Sequence, residues 1–235
     1  MFVWLGDAAY LDMDREGMYI EDQTDDIVKE RFKSTFDDPG YQRLVHSNTL
    51  ITGVWDDHDY GANNAESSFK HKDRNRKHYL DFLEEPEDSQ RRLQPKTGLY
   101  TSYILNDSTQ LILLDNRYEN DGSDRLGPTQ WAWLDNLLSQ PRRLTIICAG
   151  VQLLHNSIIL DDVFGPQSLD KLYDLIAKHQ VSNVLLLTGD VHNAQIIDNG
   201  CESLCGVKLV EVTSSGLSEE EAWWSTYFKF GVDKT

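Results

Sequence analysis

Five short apolar runs along this chain each lead into glycine, acid, carboxamide or basic residues. Phe2–Leu5 precedes Gly6-Asp7-Ala8-Ala9-Tyr10, Leu50–Trp55 precedes Asp56-Asp57-His58-Asp59, and Leu111–Leu114 precedes Asp115-Asn116-Arg117. Thr145–Ala149 precedes Gly150-Val151-Gln152, and Val184–Leu187 runs on to Gly189-Asp190-Val191-His192-Asn193. Short aliphatic runs bounded in this way read as buried strands. Helical patterns lie between many of them, so the fold class expected is α/β with mixed pairing. In open α/β sheets the groups beyond the carboxyl ends of the strands share one edge, and that edge would gather all five polar segments.

The densest segment is Gly53–Asn64, where residues 56–64 hold three aspartates, a histidine and two asparagines. Like charges this close repel, and a loop beside a core tolerates three acids only if a cation neutralises them. An acidic turn in water is the simpler account of Asp, Asn and Gly together. Trp55 and the run before it argue otherwise, since they set the cluster against a core.

Composition narrows the partners. The chain has 235 residues, 40% apolar and 26% charged, which suits a soluble globular protein read as one domain over residues 1–235. A net charge of −17 argues against nucleic acid or an anionic membrane as main partner. A small anionic substrate remains compatible, because bound cations reverse the local field. No apolar run is long enough to span a membrane, and the compartment is unassigned. Of three cysteines, Cys148 reads as core, while Cys201 and Cys205 pair or stay free.

Between the strands, Thr24 caps a helix with Val28, Phe32 and Phe36 on one face. Pro39-Gly40 breaks it before a short helix over Tyr41–Ser47. Ser67–Leu83 is expected as a helix with a solvated basic face (Lys70, Lys72, Arg74, Arg76, Lys77). Glu84–Gly98 is expected as an exposed loop or lid. Leu99–Leu105 and Gln110–Leu114 form a hairpin. Pro128 starts a helix carrying Trp131, Leu134 and Leu138, and Leu169, Leu172 and Ile176 mark another. Val207–Val212 is the last clear strand. His46, His71 and His78 read as solvated helix residues, and His155 and His179 as structural or surface ones.

Aspartates with a histidine close by suit iron, manganese or zinc, whereas calcium prefers oxygen alone. Asp7 can bridge two ions, which would clamp a phosphate and activate a water. Arg117, at a strand end, is the candidate bidentate phosphate clamp. His58, flanked by acids, is placed to protonate a leaving oxygen, with Asp59 as its orienting partner. Each of these residues taken alone has an ordinary reading as turn, packing or salt-bridge residue, and only their joint pattern carries the argument.

At these residues the chain resembles the PhoD-like alkaline phosphatases of the calcineurin-like metallophosphoesterase superfamily. The matching segments are Trp4-Leu5-Gly6-Asp7 with Tyr10 and Asp12, Trp55–Gly61 with Asn63, and Leu113–Tyr118. They continue with Leu126-Gly127, Gln130-Trp131, Trp133-Leu134, Gly150-Val151-Gln152, Gly189-Asp190-Val191-His192 and Thr213-Ser214-Ser215-Gly216-Leu217. The resemblance implies a four-layer α/β/β/α sandwich with mixed sheets and hydrolysis of phosphate monoesters or diesters, with iron and calcium as cofactors. It implies Asp7 as bridging carboxylate and Tyr10 as iron ligand. Asp57, Asp190 and His192 would be metal ligands, His58 the catalytic histidine, and Asn63 a residue near the metals. The family's upstream Gly-Ser-Cys strand has no counterpart here, and the chain stops soon after Trp223-Trp224, so a domain truncated at both ends is expected.

Two other classes stay open. A non-catalytic homologue would keep the fold and a partial metal site. A calcium-binding module would rest on Asp22–Asp26 and Asp121–Asp124, which lack the spacing of an EF-hand loop.

Overall fold

The computed structural model of the chain describes residues 1–14, 16–20, 23–94, 96–140, 142–154, 162–200, 205–215 and 217. Asp22, His155, Cys201, Gly216, Trp223 and Trp224 lie outside them. The strands are β1 (Phe2–Leu5), β2 (Ile51–Val54), β3 (Thr101–Asn106), β4 (Thr109–Leu113), β5 (Leu144–Ala149), β6 (Val184–Thr188), β7 (Ala194–Gly200) and β8 (Lys208–Ser214). The helices are α1 (Asp25–Phe36), α2 (Pro39–Val45), α3 (Asp57–Tyr60), α4 (Lys72–Phe82), α5 (Gln90–Leu93), α6 (Gly127–Leu138) and α7 (Pro166–Lys178).

β1 and β2 pair in parallel, Phe2 opposite Ile51 and Leu5 opposite Val54. The second sheet has the order β3-β4-β5-β6-β8-β7. Its inner strands β4, β5, β6 and β8 are parallel, and β3 and β7 close it with antiparallel pairs.

The alternation of side chains along each strand builds the layers. Leu111 and Leu113 of β4 join Val54 and Cys148, with Val3, Leu5 and Leu187 against them, as the filling between the two sheets. The opposite face of the large sheet gives Ile112, Ile147 and Leu186 to a core with Leu134 and Leu138 of α6 and Leu172 and Ile176 of α7. The outer face of the small sheet packs Trp4 against Val28, Phe32, Tyr41, Tyr79 and Phe82 of α1, α2 and α4. Helices, small sheet, large sheet and helices thus form four layers, the α/β/β/α arrangement expected.

Some local expectations are corrected. Pro39 opens α2 rather than merely breaking α1, with the Asp38 side chain accepting from Gly40 and Tyr41 N–H. α4 starts only at Lys72, and its basic face is not wholly in water. Arg76 is buried, donating to the carbonyls of Thr97, Arg91 and Gln94, and His78 is buried against Asp25. The segment read as a lid contains α5, whose buried Arg91 donates to the Gly53 and Leu99 carbonyls and ties it to β2. A guanidinium satisfied by fixed carbonyls clamps a segment, and a lid needs the reverse. β7 was not anticipated. Ile196 is 76% exposed there, because an edge strand half in water carries no strong apolar pattern. Cys148 is buried, as read, and Cys205 is disulfide-bonded. No helix among the described residues is long and apolar enough to cross a membrane.

Candidate metal centre

The ends of β1, β2, β4, β5 and β6 meet where the two sheets approach each other. The approach is close enough to require glycine: a Cβ on Gly189 would lie 2.0 Å from the Leu5 carbonyl oxygen, and one on Gly6 2.5 Å from the Asp56 Cβ. The acids that follow these glycines are thereby drawn together. Asp7, Asp190 and His192 have left-handed backbones, at φ 52°, 71° and 55°. Three residues in a sparsely populated conformation at one sheet edge mark a place where geometry is imposed by the surroundings.

Two overlapping sets of ligand-type atoms lie within 4.8 Å of one another: Asp7, Asp57 and His58, and Asp7, Asp56, Asp57 and Asp190. Asp56, which had no assigned role in the sequence beyond turning the chain, is part of the cluster. Its Oδ2 is buried without a hydrogen-bond partner among the described residues. An orphaned carboxylate oxygen facing other carboxylates is costly unless a cation completes it, so the donor set fits a metal ion. Oxygen donors with one imidazole admit iron, manganese or zinc, and the all-aspartate set also suits calcium.

The electrostatics agree. Burial pushes Asp7 far above the usual carboxylate range, and Asp57, Asp56, Asp59 and Asp190 push the same way. Asp190 is raised by burial, then by Asp56, Asp57 and Asp162. Burial lifts Asp56 to about 7 despite the neighbouring Arg117. Asp57 is the exception. Burial opposes its ionised form, but Arg117, His58 and the backbone N–H groups of Asn64 and His58 bring it below the usual value.

Asp57-His58-Asp59 lies in the one-turn helix α3, with Asp56 as its N-cap, rather than in a loop. Within it the three acids diverge. Asp57 Oδ2 accepts from Asn64 N at 2.7 Å. Asp59 is fully buried, with Oδ1 accepting from Ala9 N at 2.8 Å and Oδ2 from Asp56 N at 3.3 Å. Asp59 therefore fastens the Asp7 loop to α3, and the carboxylate bonded to His58 is another one. Asp12 Oδ1 lies 2.7 Å from His58 Nδ1, and Asp12 Oδ2 accepts from Asn63 N at 2.8 Å. The spacing from Asp7 to Asp12 on one short loop was the available signal for this partner. Burial works against the charged imidazole, but the Asp12 bond and the charges of Asp57, Asp12 and Asp56 hold the His58 pKa above its usual value. The Tyr10 ring packs over His58, with centroids 4.3 Å apart.

Tyr10 Oη lies 2.8 Å from His192 Nε2, which is itself 3.8 Å from Asp7 Oδ2. Asn63 is placed differently. It is exposed, and its side-chain Oδ1 accepts from the Tyr19 hydroxyl at 3.4 Å. Arg117 is fully buried. Its Nε donates to Asp56 Oδ1 at 2.7 Å, and its Nη2 reaches Asp56 Oδ1 at 2.6 Å and pairs with Asp162. Arg125 Nη1 meets the other Asp162 oxygen at 2.8 Å. Nε and Nη2 thus serve as a counter-ion to the aspartates, while Nη1 is buried with no hydrogen-bond partner among the described residues.

No family model matches the chain, and no curated protein matches it. Among solved structures, one described as "Structure of PhoD" superposes with a TM-score of 0.68 at 17% sequence identity, over 91% of this chain and 50% of that one. This chain thus spans about half the length of that structure, and what the two share is the fold: the architecture described above is PhoD-like.

Proposed function

We propose that this chain is a metal-dependent phosphoester hydrolase, of phosphatase or phosphodiesterase type, acting on a small substrate. The observation that carries the reading is the buried convergence of Asp7, Asp56, Asp57 and Asp190 beside His58. The motif resemblance and the PhoD-like fold support the same class.

When bound, a metal ion or pair would neutralise the phosphate and supply an activated water. Asp7, Asp56, Asp57 and Asp190 are the residues within reach to hold it, with Tyr10 and His192 beside Asp7. The chain's own residues do the rest. Asp12 engages Nδ1 of His58 and fixes the ring, which leaves Nε2 to give a proton to the leaving oxygen. Tyr10 limits tilt of the same ring from its face. Arg117 compensates the aspartates from behind, which lets four acids coexist in a water-poor place.

Purified protein is expected to hold about two metal ions and to hydrolyse p-nitrophenyl phosphate or its bis-ester, and Asp190→Ala should remove both properties. Turnover undiminished in metal-free protein would overturn the reading. Ion binding without turnover is the second reading, and one observation favours it: Arg117 Nε and Nη2 are already engaged by Asp56 and Asp162, which leaves one guanidinium nitrogen for a phosphate. Metal content near one ion, with no phosphoester hydrolysed, would select it.

A further inference from the structure

Asn116, on the segment that follows β4, is fully buried and has no part in the chemistry proposed above. Its Oδ1 accepts from Gly150 N at 3.1 Å, and its Nδ2 donates to Asp56 Oδ1 at 3.1 Å. The amide can face only this way, because Gly150 N–H needs an acceptor and a carboxylate needs a donor. The Gly150 carbonyl in turn accepts from Gly189 N at 2.9 Å, one residue before Asp190. One side chain therefore ties together the segments beyond β2, β4 and β5, and through Gly150 the segment beyond β6.

The two oxygens of Asp56 have unequal surroundings. Oδ1 meets Asn116 Nδ2, Arg117 Nε at 2.7 Å and Arg117 Nη2 at 2.6 Å. Oδ2 is buried with no hydrogen-bond partner among the described residues. A carboxylate oxygen has about two lone-pair sites, so Oδ1 is taken up by its donors while Oδ2 keeps its own. The side chain is also boxed in by two glycines. A Cβ on Gly6 would lie 2.5 Å from Asp56 Cβ, and one on Gly150 would lie 2.7 Å from Asp56 Oδ1. Asp56 belongs to the set whose ligand-type atoms, with those of Asp7, Asp57 and Asp190, lie within 4.8 Å of one another.

We infer that Asp56 binds a divalent cation through Oδ2 alone, and that Asn116 is a positioning residue for the metal centre, a neutral clamp that aims this oxygen. The inference rests on the metal-binding part of the reading above and not on turnover. A group that hydrogen-bonds a ligating carboxylate orients it before the ion arrives, so less freedom is lost on binding. Arg117 supplies the compensating charge; the amide adds direction and leaves the net charge of the cluster unchanged.

The test is manganese binding by calorimetry on the whole chain, with denaturant unfolding of the metal-free protein measured beside it. Asn116→Ala should weaken manganese binding about 10- to 100-fold. Asp56→Asn keeps an oxygen for Asn116 and Arg117 and replaces the other with an amide nitrogen that cannot ligate, so it should lose more affinity still. Gln130→Ala is the control for a merely structural effect: the Gln130 side chain bonds Asp115 N and the Asp115 and Leu126 carbonyls, next to Asn116 in the chain. It should lower the unfolding midpoint and leave manganese affinity nearly unchanged. In cobalt-loaded protein the visible spectrum, which reports coordination geometry, should change in Asn116→Ala and not in Gln130→Ala. Wild-type affinity in Asn116→Ala or in Asp56→Asn, an equal loss in Gln130→Ala, or no manganese binding by wild type overturns the inference. Hydrolysis of p-nitrophenyl phosphate is followed in parallel. Its absence in manganese-loaded wild type, with the Asn116 effect present, overturns the hydrolase reading, whereas turnover with unchanged affinity in Asn116→Ala overturns the role of Asn116 alone.

Discussion

Asp12 and His58 meet at 2.7 Å through Oδ1 and Nδ1, both side chains buried, although 46 residues separate them in the chain. A carboxylate on one imidazole nitrogen fixes which nitrogen is left for chemistry and how the ring is aimed. Asp12→Asn should therefore lower kcat for p-nitrophenyl phosphate about 10- to 100-fold with KM changed far less. Steady-state kinetics on the folded variant measure this. Equal losses for Asp59→Asn and Asp12→Asn would show that the effect is one of folding, since Asp59 bonds only backbone N–H groups in this region.

Chelated protein should have an inverted pH dependence of stability. Burial raises Asp7, Asp56, Asp59 and Asp190, with Asp56 and Asp59 each near 7, against an ordinary carboxylate value of 3.8. A raised folded-state pKa means that the folded protein binds protons the unfolded chain has already released. The stability so gained is fully present below about 4 and is lost as pH rises towards about 7. Thermal melts in EDTA should give a lower Tm at pH 8 than at pH 5.5, and added manganese should restore most of the difference at pH 8. A Tm in EDTA that climbs steadily over this range would contradict the electrostatics described for the cluster.

The α/β strands were legible in the sequence because burial writes itself into them as aliphatic runs, whereas the four layers were implied by the family resemblance. The run Thr145–Ala149 lies wholly within β5, and Thr24 was readable as the cap of α1. The gathering of Asp7, Asp57, His58 and Asp190 followed from one rule about strand ends. Partnerships across the fold were not legible. Asp59 is two positions from Asp57 and one from His58, so proximity in sequence favoured it as the histidine's partner. One turn of helix instead points it at Ala9 N, and the partner comes from the β1 loop. The surroundings of Arg117 were hidden for a related reason. A basic residue at a strand end looks available to a phosphate until the neighbouring strand ends bring Asp56 and Asp162 around it. β7 was missed because an edge strand with one wet face has no apolar run.

Cys148 gives a probe of global opening. It is buried between the sheets, and burial lifts its thiol to about 12, so almost no thiolate exists at pH 8. Iodoacetamide should label it only when the sandwich opens, at a rate that follows denaturant unfolding and slows on metal addition. Rapid labelling of native protein at Cys148, mapped by mass spectrometry, would mean that the sheets part far more readily than their shared core implies.

Arg117→Met separates two roles for one residue. As a counter-ion, Arg117 faces the fully buried Asp56 and shares Asp162 with Arg125, so its removal leaves Asp56 uncompensated. Breaking such an arrangement costs about 3–5 kcal/mol. The loss should appear in denaturant unfolding of metal-free protein. It should be smaller with metal present, because a cation near Asp56 Oδ2 replaces part of the missing charge. As a phosphate clamp, Arg117 would instead show itself as a raised KM with stability little altered. The enclosed guanidinium argues for the first outcome. A variant as stable as wild type, with KM raised tenfold or more, would return Arg117 to the substrate.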